Sequence, residues 1–201
     1  CKRQMLSRNR VANDLATEFG LERHNWFWQC VNPLDGISYI QESGDFATWA
    51  KWGARTDDLM RDNAQVQNCL PADKRHLKTL VIMTIGGNDL SSLTKGFIEG
   101  KGSTELWEQT YEFMGLVRDS VEWLKSPERF HDGVDVVFTN LYEFTDATGD
   151  TSSCPVAELA GFGGAVADPA LEEMVVWSME EFMSIAVDTR SDMLFLLENF
   201  C

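Results

Sequence analysis

One stretch constrains this chain more than any other. Leu77 to Ile85 (LKTLVIMTI) is an almost unbroken apolar run, rich in β-branched residues and without polar alternation. Such a run fits a parallel strand covered by helices on both faces, because a strand with one wet face would alternate. It ends at once in Gly86-Gly87-Asn88-Asp89. A second run, Val134 to Leu141 (VDVVFTNL), has the same character. Between the two, Leu106, Phe113, Val117, Val121 and Leu124 mark one side of a long helix over Glu105 to Lys125, which Pro127 and Gly133 then break. Strand, helix and strand in alternation predict an α/β fold: a three-layer α/β/α sandwich around a mostly parallel sheet.

The remaining segments fit that plan. Val11, Leu15 and Phe19 recur at helical spacing from Arg10 to Gly20, where glycine supplies the stop. Asn25 to Gly44 is rich in aromatics and turn residues and reads as a surface excursion. Phe46 to Trp52 reads as a short strand, and a helix begins within Ala54 to Met60. Thr145 to Pro169 is a loop by composition. Leu171 to Val187 resumes helical spacing, with Met174, Trp177, Met179 and Phe182 on a broad face best used as core. Met193 to Leu197 fits a third strand or the start of a helix. At 201 residues the chain, 1–201, reads as a single domain.

Charge narrows the function classes. Seventeen lysines and arginines face 32 aspartates and glutamates, a net charge of −15. That balance, with the basic residues scattered, argues against nucleic-acid binding. No stretch is long and apolar enough for a transmembrane segment. Cys1, Cys30, Cys69, Cys154 and Cys201 stand singly, without the paired spacing of a zinc or redox motif. Wide spacing in an acidic chain suggests disulfides, hence a secreted or periplasmic location, with no signal peptide among these residues. No two histidines stand at ligand spacing, so neither a metal nor another cofactor is expected.

In an open parallel sheet, chemistry gathers beyond the carboxyl ends of the strands. The segments to inspect are therefore Trp52 to Arg55 and Gly86 to Asp89. A glycine pair there lets the backbone bend sharply, and the Asn88 amide can donate to an oxyanion. The plain alternative is a turn with an Asn-Asp helix cap.

The stretch KTLVIMTIGGNDL resembles block III of the SGNH, or GDSL-type, hydrolases, and within them the phospholipase B-like branch. Lys51 to Leu59 (KWGARTDDL) is similar to block II, and RVANDLATEFGL from Arg10 looks like the helix after the nucleophile loop. The resemblance implies a flavodoxin-like sheet and a serine hydrolase that cleaves carboxylic esters, of lipid or acylated carbohydrate, through an acyl-enzyme. It assigns the Gly53 backbone N–H and the Asn88 side-chain amide to the oxyanion hole; Asp89 itself reads as a cap or loop-ordering residue, more structural than catalytic. The aromatics Trp26, Phe27, Trp28, Trp49 and Trp52 are candidates for an acyl cleft.

Two family blocks are not found. No Gly-Asp-Ser stands before the first helix: Gly44-Asp45 is followed by Phe46, and Gly149-Asp150-Thr151-Ser152 lies in the late loop, which makes Ser152 a poor nucleophile. No late Asp-x-x-His is present. His24 lies in the excursion, while His76 and His131 precede strands and so sit at the wrong end of the sheet. If the family strand order 2-1-3-4-5 applies, the central strand is absent from this chain, and a second chain or another segment is expected to complete the sheet. The competing reading is a catalytically inactive hydrolase-like fragment or binding module.

Overall fold

A computed structural model describes residues 7–23, 41–51, 53–141 and 168–195. The chain divides into two compact units, one from Cys1–Ala54 with Ala64–Pro71 and the other from Arg55–Asn63 with Ala72–Cys201.

In the first unit, helix α1 spans Ser7–Phe19 and stops at Gly20, whose φ of +66° is a glycine conformation; the Leu21 N–H closes the turn onto the Ala16 carbonyl. The buried residues are Ala12 and Ala16, whereas Val11 and Phe19 are exposed. The inward face is thus rotated one position from the expected stripe. A two-residue hairpin, β1 (Glu42–Ser43) and β2 (Phe46–Ala47), turns at Gly44-Asp45, and the Asp45 carboxylate accepts from the Glu22 N–H at 2.6 Å. The strand expected over Phe46 to Trp52 is therefore only two residues long. The Thr48 hydroxyl accepts from the Ala50 N–H at 3.4 Å, a local bond that competes with a sheet ladder.

Helix α2 (Asp57–Met60) belongs to the second unit and helix α3 (Gln65–Cys69) to the first. In α3 the Gln65 amide donates to the Trp49 carbonyl at 3.0 Å. Cys69 is unbridged, and burial pushes its thiol up to about 11. The other four cysteines lie outside the described residues.

The second unit carries the α/β architecture. Strands β3 (Thr79–Met83), β4 (Val134–Thr139) and β5 (Asp192–Leu194) form a parallel sheet in the order β3-β4-β5. Val81 lies opposite Val136, and Val137 opposite Asp192. Helices α4 (Gly87–Ile98), α5 (Ser103–Lys125) and α6 (Pro169–Thr189) pack against one another, with α5 against β4 and α6 against β5. Their shared core includes Leu106, Val117, Val121, Leu124, Phe138 and Phe182, all fully buried. α6 starts cleanly because Asp168 accepts from the Ala170 N–H at 2.8 Å and Pro169 needs no donor partner.

Coverage of the sheet is uneven. Val136 and Phe138 are buried, but Leu80 and Ile82 are each 45% exposed and Leu194 is 53% exposed. The expected burial of the Leu77 to Ile85 run on both faces is not met, since residues of opposite parity along β3 differ in burial. Among the described residues, β3 has β4 on one side and no strand on the other.

Candidate functional site

The site is built where β3 gives way to α4. Gly86 has φ +103° and forms the N-cap of α4; a Cβ there would lie 2.5 Å from Leu141 Cδ2 and 3.6 Å from Phe182 Cζ. The backbone conformation therefore favours glycine, and a Cβ would also require the tip of Leu141 to shift. The sharp turn lets α4 begin at Gly87, with its first bond from the Leu90 N–H to the Gly86 carbonyl at 2.9 Å. Asn88 falls in this first turn and is exposed.

Its neighbour Asp89 is buried at 3% exposure. The carboxylate accepts from the Thr56 N–H at 3.1 Å through one oxygen and from the Thr56 hydroxyl at 2.9 Å through the other. Thr56 is equally buried, so these bonds are shielded from water. Arg55 Nε stands 3.5 Å from the carboxylate, and its guanidinium also donates to the Ser92 hydroxyl at 3.4 Å. Burial raises the Asp89 pKa above its ordinary value, while the Thr56 bonds and Arg55 pull it back. In the first turn of α2, Asp58 accepts from the Arg55 N–H at 3.0 Å and from the Asn63 side chain.

Asp89 thus orders the loop before α2 and does not cap α4, whose N-terminus has no side-chain cap bond. The Asn-Asp helix cap considered from sequence is corrected accordingly. The threonine and aspartate of the two sequence blocks are joined although 33 positions apart. Sequence reading had no signal for that particular pairing.

Gly53 lies in the first unit, is exposed and has φ +73°, with nothing within 4 Å of a Cβ placed there. Trp49 is half-buried. His24, Trp26, Phe27, Trp28, Trp52 and Ser152 lie outside the described residues. His76 and His131 are exposed beside the starts of β3 and β4, as their place before strands implies. Both line one cavity with Arg75 and Arg129, a grouping that sequence reading missed. Its signal was present in two similar strings, Asp73-Lys74-Arg75-His76 and Glu128-Arg129-Phe130-His131.

No protein-family model and no curated protein matches the chain. Among solved structures it is similar to an extracellular lipase from Streptomyces rimosus, at 17% identity and a TM-score of 0.43, over 74% of this chain and 59% of that one. It is also similar to phospholipase A1 from Streptomyces albidoflavus NA297, at 16% identity and a TM-score of 0.41, over 70% and 56%. The chain spans less than two thirds of the length of either.

Proposed function

We propose that this chain is part of a serine hydrolase of SGNH type, of the phospholipase B-like branch, that cleaves carboxylic esters of lipids or acylated carbohydrates outside the cytoplasm. The observation that carries the proposal is the buried Thr56–Asp89 pair, which fastens the block II loop to the first turn of α4 beside Asn88. Hydrolysis through an acyl-enzyme builds negative charge on the former carbonyl oxygen. Donors already fixed at that point lower the barrier because they need no reorientation when the charge appears.

Asn88 is the side-chain donor in this reading and the Gly53 N–H the backbone donor. The serine that attacks and the histidine that takes its proton are required by the chemistry and are assigned to no residue here. No cofactor enters the proposed reaction.

The test is intact mass spectrometry of the protein before and after exposure to a fluorophosphonate probe, which phosphonylates activated serines. A single adduct is expected, with labelling slowed by about 100-fold in Asn88→Ala, in line with loss of one oxyanion donor. Absence of any adduct overturns the hydrolase reading and favours a hydrolase-like scaffold that binds without catalysis.

A further inference from the structure

A second candidate site, independent of the proposed hydrolase chemistry, lies beside the starts of β3 and β4. A cavity of about 490 Å³ is lined by Asp73, Arg75, His76, Glu128, Arg129 and His131. That volume is within the ordinary range for small-ligand sites. Each of the two segments entering the sheet contributes one carboxylate, one guanidinium and one imidazole, and the His131 N–H bonds the Arg75 carbonyl at 3.3 Å.

The guanidiniums are preorganised. The Arg75 carbon lies 4.8 Å and the Arg129 carbon 4.6 Å from the centre of the Trp123 ring, which is itself held edge-on by Phe130. Stacking fixes two long side chains that otherwise lose entropy on binding. Arg129 Nε is buried without a hydrogen-bond partner. Among the described residues the side chains of Asp73, Glu128 and Arg129 form no ion pair. Asp73 and Glu128 therefore share one cavity with Arg129 and are not paired to it. A ligand carrying both charges bridges them, whereas a simple anion gains the arginines and meets the carboxylates.

We propose that this cavity binds a small phosphate ester that also carries an ammonium group, with the phosphate on Arg75, Arg129 and the histidines and the ammonium on Asp73 and Glu128. Two guanidiniums and two imidazoles favour a phosphate over a carboxylate, since its oxygens accept more charge-assisted bonds. Phosphoethanolamine has this chemistry as a free monoester, and the headgroup of phosphatidylethanolamine has it as a diester.

The experiment follows the His76 and His131 imidazole resonances by NMR in the full chain, assigned with His76→Gln and His131→Gln. Phosphoethanolamine is expected to shift both saturably, with half-saturation at or below about 1 mM and about tenfold tighter than inorganic phosphate. Ethanolamine alone should leave them in place. Arg129→Gln should weaken phosphoethanolamine at least about tenfold, as expected for loss of a charge-assisted contact. If that variant fails to fold for want of its contact with Trp123, the exposed pair Asp73→Asn and Glu128→Gln should lower the preference over phosphate and leave phosphate binding unchanged. Sedimentation with phosphatidylethanolamine vesicles, but not phosphatidylcholine vesicles, supports a lipid-borne ligand. Binding of phosphoethanolamine without sedimentation supports a free one. No saturable shift, phosphate binding as tightly as phosphoethanolamine, or a preference unchanged in the carboxylate variants overturns the proposal.

Discussion

Gly86→Ala tests whether the entry to α4 is as constrained as its geometry implies. Two costs arise together. An alanine held at φ +103° is strained by about 1 to 3 kcal/mol. Its Cβ would also stand 2.5 Å from Leu141 Cδ2, so the fully buried Leu141 side chain must shift, and overpacking of this kind costs about 1 to 3 kcal/mol. The expected loss is therefore about 2 to 6 kcal/mol, a large part of the about 5 to 15 kcal/mol that holds a typical domain. Urea denaturation measures it directly. Gly53→Ala is the control: φ is +73° but no atom lies within 4 Å of the new Cβ, so strain alone applies, at about 1 to 2 kcal/mol. Combining Gly86→Ala with Leu141→Ala should cost less than the sum of the two by at least about 1 kcal/mol, because the cavity admits the methyl group. A Gly86→Ala loss no larger than that of Gly53→Ala refutes the reasoning.

Thr56→Val keeps the shape of the side chain and removes the hydroxyl that donates to Asp89 at 2.9 Å; the expected loss is about 1 to 3 kcal/mol by chemical denaturation, with most of it restored by Thr56→Ser. The folded Asp89 carboxyl holds its proton to higher pH than the ordinary 3.8. Its contribution to stability is therefore fully present below the unfolded pKa and is lost as pH rises through the folded one. Asp89→Asn removes that slope, so the stability of wild type minus variant should shrink as pH is raised from acid to neutral, and a difference that grows with pH would contradict the assigned shift. Arg118 joins α5 to α6 through Glu181 at 2.6 Å and Asp188 at 2.8 Å, with its side chain 26% exposed. Arg118→Met should cost about 1 kcal/mol at low salt and less at 1 M salt, since exposed pairs are weak and screened.

Long periodic elements were legible because many residues vote for each. α5 and α6 fall within two residues of the bounds their apolar spacing predicts, and β3 and β4 lie inside the two uninterrupted runs. The inward face of α1 was misjudged because Val11 and Phe19 outweigh Ala12 and Ala16 in any hydropathy pattern, whereas close packing selects the small residues. The strand after Gly44 was overread for a different reason: a short apolar run does not say where its backbone donors will find partners, and Thr48 offers a local one. The candidate site was half legible. Gly86-Gly87-Asn88-Asp89 marked the place, yet the partner of Asp89 is set by tertiary folding across 33 positions. The paired acid, arginine and histidine of the second cavity were visible in two strings and acquired meaning only when β3 and β4 were aligned in parallel.

The part played by Asp89 can be separated into fastening and charge. As a carboxylate it accepts at both oxygens, once from the Thr56 N–H and once from the Thr56 hydroxyl. An asparagine can keep both points of attachment, because its carbonyl accepts from the N–H and its amide donates to the hydroxyl once that group rotates. A leucine can keep neither. Asp89→Leu would leave a backbone N–H and a hydroxyl buried without partners, at about 1 to 3 kcal/mol each, so it should cost several kcal/mol more than Asp89→Asn at neutral pH in urea unfolding. Equal losses in the two variants would mean that the negative charge itself holds the loop. A tolerated asparagine beside a damaging leucine would mean that the two-point attachment holds it, and that Asn88 is presented by geometry which survives neutralisation of its neighbour.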